Sequence, residues 1–270
     1  MTLETNTIYQ GDCLEVMKDI PDKSIDMILT SPPYDNLRDY KGYTFNFEGI
    51  AKELFRIIKD GGVVVWVVAD ATIKGSETGT SFKQALYFKE IGFNLHDTMI
   101  YEKLGGIPLN HNRYEQKFEY MFILSKSGPK TFNPILDKTI GGGKVNTGGA
   151  TKSNSMNEKS ANYGGWGRGQ LTKEYKIRKN IWGYFTGKGH SSLDEISFQH
   201  PATFPEQLAA DHIVSWSNKG DLILDPMNGS GTTTKMAKTL GRNYIGIEIS
   251  PEYCAIAEQR IKDLPAKLAV

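Results

Sequence analysis

The sequence predicts an α/β protein built on a doubly wound, mostly parallel sheet, and three observations carry that prediction. Apolar runs alternate with segments of helical spacing along most of the chain. Runs such as Ile25–Leu29 and Val63–Val68 are apolar almost throughout, as expected of strands covered on both faces. Polar corners rich in Pro or Gly follow the runs at 25–30 and 221–225, where open α/β sheets bind their ligands. Between Ser125 and Gln199 the alternation stops. The expected organisation is therefore one domain made of residues 1–125 and 200–270, with an inserted region over 126–199.

In chain order, residues 7–12 read as a short strand ending in Gly-Asp, followed by a short helix carrying Leu14, Val16 and Met17. The strand at 25–30 delivers Ser31-Pro32-Pro33-Tyr34 at its carboxyl end, and the polar, aromatic stretch 35–44 reads as a loop. Phe47, Ile50, Ala51, Leu54, Phe55 and Ile58 recur at helical spacing, with Gly61-Gly62 as the expected stop. A strand at 63–69, a helix at about 81–91 and strands near 95–101 and 118–124 complete the first part. After the insertion, Pro205 suits the first turn of a helix carrying Leu208, Ala209, Ile213 and Val214. A strand at 221–225, the turn Pro226-Met227-Asn228-Gly229-Ser230-Gly231, a helix from Thr232, a strand ending in Glu248 and a helix at 253–261 close the fold.

A chain of 270 residues can bury a sizeable core without disulfide or metal staples. Its formal charge of +1 gives no bulk sign of nucleic acid, but the charge is segregated. Residues 126–200 hold twelve Lys/Arg against five Asp/Glu, interleaved with Tyr163, Trp166, Tyr175, Trp182, Tyr184 and Phe185. Basic groups set among aromatics suit contact with phosphates and bases, and a disordered linker would be poor in aromatics. Cys13 and Cys254 form no CxxC or Cys/His cluster, so neither a metal site nor a disulfide framework is expected, and a reducing cytoplasm is the simplest location. No apolar run approaches about 20 residues, and residues 1–5 show neither a basic start nor an apolar stretch, so neither secretion nor a membrane partner is expected.

Two motifs carry chemistry. In Ser31-Pro32-Pro33-Tyr34 the prolines fix φ near about −65° and surrender two donors, leaving neighbouring carbonyls free to accept. Ser31 and the Pro32 carbonyl could take both hydrogens of an exocyclic amine while Tyr34 stacks on the planar group that bears it, a description that a flipped nucleobase fits. The second motif, Asp225 to Gly231 with Glu248 one helix and one strand later, is a nucleotide-binding βαβ in outline. Glu248 can accept from ribose hydroxyls, and Asp225 before the turn would repel a phosphate but suits an ammonium group, which S-adenosylmethionine carries.

Together, and in this order with a long insertion between them, the two motifs resemble the signatures of β-class DNA amino-methyltransferases. The resemblance covers nearly the whole chain outside the insertion. It implies a Rossmann-like fold of the class I methyltransferase type, S-adenosylmethionine as cofactor, double-stranded DNA as partner and the insertion as target-recognition region. Catalytic residues would be Ser31, Pro32, Pro33 and Tyr34. The cofactor would lie on Asp225, Pro226, Met227, Asn228, Gly229, Gly231, Thr232 and Glu248. Asp12 and Cys13 resemble the segment meeting its adenine, and His200, Pro201 and Phe204 the segment seating its methionine part. Met227 departs from the family, which usually has Phe there. The resemblance also implies a homodimer and a companion restriction enzyme as partners to test for.

Attack by an amine needs no enzyme nucleophile, whereas methylation at cytosine C5 needs an activated thiolate, usually after a proline, and neither cysteine follows one. In the resembled family, Ser in the first position of the tetrapeptide goes mostly with cytosine N4 and Asp with adenine N6, so the resemblance implies cytosine N4 as target, with adenine N6 as the alternative. An RNA methyltransferase and a catalytically silent DNA-binding protein are more distant alternatives.

Overall fold

A computed structural model of the protein describes residues 3–33, 45–105, 113–145, 170–200 and 203–265. Its elements are β1 (Thr7–Gln10), α1 (Cys13–Met17), β2 (Ile25–Thr30), α2 (Phe47–Ile57), β3 (Ile58–Val68), the hairpin β4 (Thr72–Ile73) and β5 (Ser76–Glu77), and α3 (Thr80–Glu90). There follow β6 (Asn94–Leu104), β7 (Phe118–Ser125), β8 (Leu136–Lys138), β9 (Tyr175–Ile177), β10 (Ile181–Phe185), a short 3-10 helix (Glu195–Gln199) and α4 (Glu206–Trp216). The chain ends with β11 (Leu222–Asp225), α5 (Thr232–Thr239), β12 (Asn243–Glu248) and α6 (Pro251–Lys262).

Eight strands form one sheet in the order β1-β12-β11-β2-β3-β7-β6-β10. Every neighbouring pair is parallel except those of β7, which runs against both β3 and β6. The α/β, mostly parallel expectation holds. On one face, α1, α2 and α3 enclose a core with Val64, Trp66 and Val68 of β3. On the other, α4, α5 and α6 pack side by side against the sheet.

The helix α2 shows how the sequence builds one layer. Asn46 caps it by accepting from the Gly49 amide at 3.0 Å, worth about 1 kcal/mol. Ile50, Leu54 and Ile57 are fully buried, each contributing about 1.5–3 kcal/mol against exposure. The helix does not stop at Gly61-Gly62 as expected; it ends at Ile57 and the chain passes straight into β3. The glycines instead sit in an irregularity where the register moves from Ile25↔Ile58 to Met27↔Val63. Gly61 has φ +83°, and a Cβ on Gly62 would lie 2.8 Å from the Asp26 carbonyl, so crowding against β2 requires a bare backbone there.

The chain divides into two compact units, Met1–Asn133 with Asn180–Val270, and Pro134–Lys179. The compositional insertion at 126–199 is wider than the second unit because β10 belongs to the main sheet. Trp182 and Tyr184, grouped by sequence with nucleic-acid-facing aromatics, are buried. Trp182 lies against the His212 ring at 4.7 Å, and the Tyr184 hydroxyl donates to Asp211 at 2.8 Å. Both are core residues, a correction to the reading of that tract. Within the second unit β8 and β9 form an antiparallel ladder flanked by an Arg178–Asp137 ion pair at 3.0 Å. Tyr163 and Trp166 lie outside the described residues, as does the loop at 35–44. No helix among the described residues is long and apolar enough to cross a membrane.

Candidate functional site

Central strands β2 and β11 are parallel neighbours, so the Ser31 corner and the Gly-rich turn emerge at the same sheet edge. From β2 the chain moves to β3 on one side, and from β11 to β12 on the other. The strand order reverses between them, which opens a crevice at their carboxyl ends. A cavity of about 410 Å³ lies there.

Its floor is the turn after β11. The Met227 amide donates to the buried carboxylate of Asp225 at 3.1 Å, and the Asn228 amide to the Ile247 carbonyl at 2.8 Å. Gly229, at φ +50°, donates its amide to Glu248 Oε2 at 2.8 Å, while Glu248 Oε1 accepts from the Ser250 amide at 2.9 Å. The Glu248 carboxylate thus ties the turn to the end of β12 and still lines the cavity. Burial raises its pKa above the ordinary value against the pull of these amides. Burial also pushes the Asp225 carboxyl up to about 6, with Glu248 adding to the shift. A Cβ on Gly229 would stand 3.0 Å from the His200 imidazole, and one on Gly231 would stand 2.6 Å from the Ala257 side chain. His200 meets the Tyr253 ring edge-on at 4.4 Å, and both line the cavity.

Of the residues singled out from sequence, Cys13, Ser31, Pro32, Pro33, His200, Phe204, Pro226, Met227, Asn228, Gly229, Thr232 and Glu248 line this one cavity. Three lie off its wall. Asp12 caps α1 by accepting from the Leu14 amide at 2.8 Å, Asp225 sits beneath the turn it holds, and Gly231 packs on α6. Tyr34 and Pro201 lie outside the described residues. Sequence reasoning missed Tyr101, Lys103, Glu119 and Thr186, which form the far wall. The signal available was Glu119, an acid at the head of the otherwise apolar and aromatic run of β7.

The cavity suits S-adenosylmethionine in chemistry. Glu248 could accept from the ribose hydroxyls with its remaining lone pairs, Met227 could pack beside the cofactor, and the bare backbone of Gly229 allows close approach. The Asn228 side-chain nitrogen is buried against Gly246 of β12 and has no hydrogen-bond partner among the described residues. Cys254 is not among the residues lining the cavity, and burial pushes its thiol up to about 11, which disfavours the thiolate.

A family profile described as DNA methylase, of the N6/N4 methyltransferase kind, matches residues 25–259. The chain belongs to this DNA methylase family. Among curated relatives it is similar to the orphan methyltransferase M.BamHII of Bacillus amyloliquefaciens, with 56% identity covering 91% of this chain and 92% of the relative. It is also similar to the type II methyltransferase M.HinfI of Haemophilus influenzae, with 28% identity over 96% of this chain and 69% of the relative. Among solved structures, the cytosine-N4-specific PvuII DNA methyltransferase superposes with TM-score 0.70 at 22% identity, over 99% of this chain and 90% of that one. A complex of M1.HpyAVI with SAM superposes with TM-score 0.61 at 23% identity, over 94% and 98% of the two chains. This DNA methylase is accordingly an S-adenosylmethionine-dependent DNA amino-methyltransferase of class I fold.

Proposed function

We propose that the enzyme methylates the exocyclic amine of a base flipped out of double-stranded DNA, with cytosine N4 ahead of adenine N6. The observation that supports this reading is that Ser31-Pro32-Pro33 and the Glu248-anchored turn line one cavity. A flipped base seated on the first would face a cofactor seated on the second.

S-adenosylmethionine, when bound, supplies the methyl group. The chain supplies position and polarity. Conjugation draws the amine lone pair into the ring, so the amine is a poor nucleophile while flat. Ser31 Oγ and the Pro32 carbonyl, accepting one N–H each, turn it toward tetrahedral geometry and aim the lone pair across the cavity. By the resemblance, Tyr34, the next residue in the sequence, would stack on the base. Transfer would form the N–C bond as the methyl–sulfur bond breaks, leaving a neutral thioether and passing the positive charge to the amine, which would then release a proton to water. No covalent attachment to the enzyme is required, in keeping with the buried state of both cysteines.

Long-read sequencing of DNA from cells expressing the enzyme identifies the modified base and its context together. Methylation confined to adenine N6 overturns the preference for cytosine. With the site known, single-turnover transfer by Ser31→Ala should be about ten- to a hundredfold slower than wild type with cofactor affinity unchanged, since the acceptor acts mainly as the lone pair reorients. Ser31→Asp accepts more strongly and should shift transfer toward adenine. Parental rates in both variants would remove Ser31 from the reaction.

The inserted region is assigned to target recognition because of its excess of positive charge and its exposed Tyr175. Deleting residues 141–169 should abolish specific DNA binding and leave cofactor binding intact, as read by salt-dependent DNA titration beside calorimetry. Parental site affinity after deletion would refute this role. The name orphan carried by M.BamHII favours action without a companion restriction enzyme.

A further inference from the structure

The far wall of the cavity carries a built polar pair that the methyl-transfer argument leaves unused. Lys103 Nζ and Glu119 Oε1 are 2.6 Å apart, with side chains 33% and 11% exposed. The two arise from adjacent strands: Tyr101 of β6 pairs directly with Glu119 of β7, and Lys103 stands two residues further on the same face of β6. Tyr101 is buried on the same face beside Glu119, and Thr186, just past β10, also lines the cavity. Burial holds the Tyr101 phenol well above its ordinary pKa, with Glu119 adding to the shift, so the phenol stays neutral.

Lys103, held by Glu119, and Ser31, at the end of β2, line one cavity. We infer that Lys103 is a specificity-determining residue that selects cytosine over adenine by donating to the ring edge beside the target amine, and that Glu119 positions it. The inference rests on the reading of the corner as the target-amine site. With the two amine hydrogens taken by Ser31 and the Pro32 carbonyl, the rest of a cytosine edge offers two adjacent acceptors, N3 and O2. An ammonium has three donors; one engages Glu119 and two remain for that edge. Adenine offers N1 and then a C–H, so a donor that had lost its water would face carbon. Sites built to hydrogen-bond one group discriminate strongly against an analogue that lacks it. The pair is neutral as a whole, so it can line a pocket shared with a cationic cofactor without repelling it, which an unpaired lysine could not.

Glu119 is a positioning residue here. Its carboxylate fixes where the ammonium points and limits the desolvation cost of holding a cation in the wall. Donation to N3 draws electron density from the ring and does not help the amine attack. Lys103 therefore acts on base choice and binding, and its loss falls on KM more than on kcat.

The test uses the full-length enzyme and two otherwise identical duplexes, with cytosine or adenine at the target position of the site found by sequencing. In wild type, kcat/KM should favour cytosine. K103M should lower kcat/KM on cytosine by about ten- to a hundredfold, mostly through KM, and leave adenine nearly unchanged, so that the preference collapses. K103R keeps donors and the partner and should retain most of the preference, while E119Q should give an intermediate loss. Calorimetric S-adenosylmethionine binding at parental affinity identifies the variants as folded. If either Lys103 variant fails that check, the E119Q cytosine-to-adenine ratio decides. A cytosine preference unchanged in K103M, or for want of a folded K103M in E119Q, overturns the inference while leaving the proposed target base standing. A wild type that methylates adenine alone overturns both.

Discussion

Replacing Arg260 with methionine is expected to destabilise the fold by about 3–5 kcal/mol, the range for removing one partner from a buried ion pair. The Arg260 side chain is fully buried on α6. Its Nε donates to Asp194 at 3.0 Å and its Nη2 to Glu206 at 2.5 Å, while Nη1 reaches the Ser230 carbonyl at 2.5 Å. Lys235 on α5 completes the group, 2.6 Å from Asp194 and 2.8 Å from Glu206. Four charges cancel in pairs, so removing one cation leaves two partly buried carboxylates sharing a single lysine. Burial pushes the Asp194 carboxyl upward, but hydrogen bonds from Lys235 and Arg260 outweigh it and hold its pKa below the ordinary value. That depressed pKa contributes stability above about pH 4, the ordinary carboxylate value, and the contribution is lost as pH falls further. Denaturant unfolding of R260M should show a lower midpoint with an unchanged slope. A midpoint within error of wild type would show that the network is inert. Because Arg260 also binds the carbonyl of Ser230, in the turn, the variant should weaken cofactor affinity beyond what its lost stability explains.

The second large effect is expected at Glu248. Glu248→Ala removes the acceptor from the Gly229 and Ser250 amides at once and deletes the carboxylate available to the ribose. Cofactor affinity should fall by about 2–4 kcal/mol, since hydrogen bonds to a charged group are worth about 1.5–3 kcal/mol each and part of the loss falls on the unliganded turn. Calorimetric titration measures it. Affinity within threefold of wild type in a folded protein would exclude Glu248 from the site. Glu248→Gln separates the two roles, because an amide oxygen can hold one backbone N–H yet supplies neither the charge nor the second acceptor.

Much of the fold was legible because its signals are local. The corner at Ser31 and the turn at Gly229 announce themselves through residues with restricted or permissive backbones, and the strands that carry them are apolar throughout. Three features were not legible, each for a non-local reason. Trp182 and Tyr184 alternate inward on β10, but five residues embedded in a basic, Gly-rich tract give too short a period to separate a core strand from a binding surface. Gly61-Gly62 has the composition of a helix stop, and only the shifted pairing with β2 reveals that it serves crowding within the sheet. Lys103 and Glu119 meet through β6 and β7 registration, which no spacing along the chain reports. Asp225, read from its position before the turn as suited to an ammonium group, also accepts from the Met227 amide, a contact that only the folded turn reveals.

The pairing at the centre of the sheet also bears on how the chain must come together over time. Met27 of β2 lies opposite Ile223 of β11, so the two strands that carry the reactive corner and the cofactor turn come from opposite ends of the sequence. During synthesis β2 and β3 can associate early, but the other edge of β2 waits with unpaired amides and carbonyls until the last quarter of the chain has been made. Pairing across such a separation is slow, and an exposed apolar strand edge invites association with other chains. A fragment ending before β11 should therefore aggregate rather than bind cofactor weakly, and competence to transfer methyl groups arrives late, in a single step, when β11 and β12 close the gap between β2 and β1.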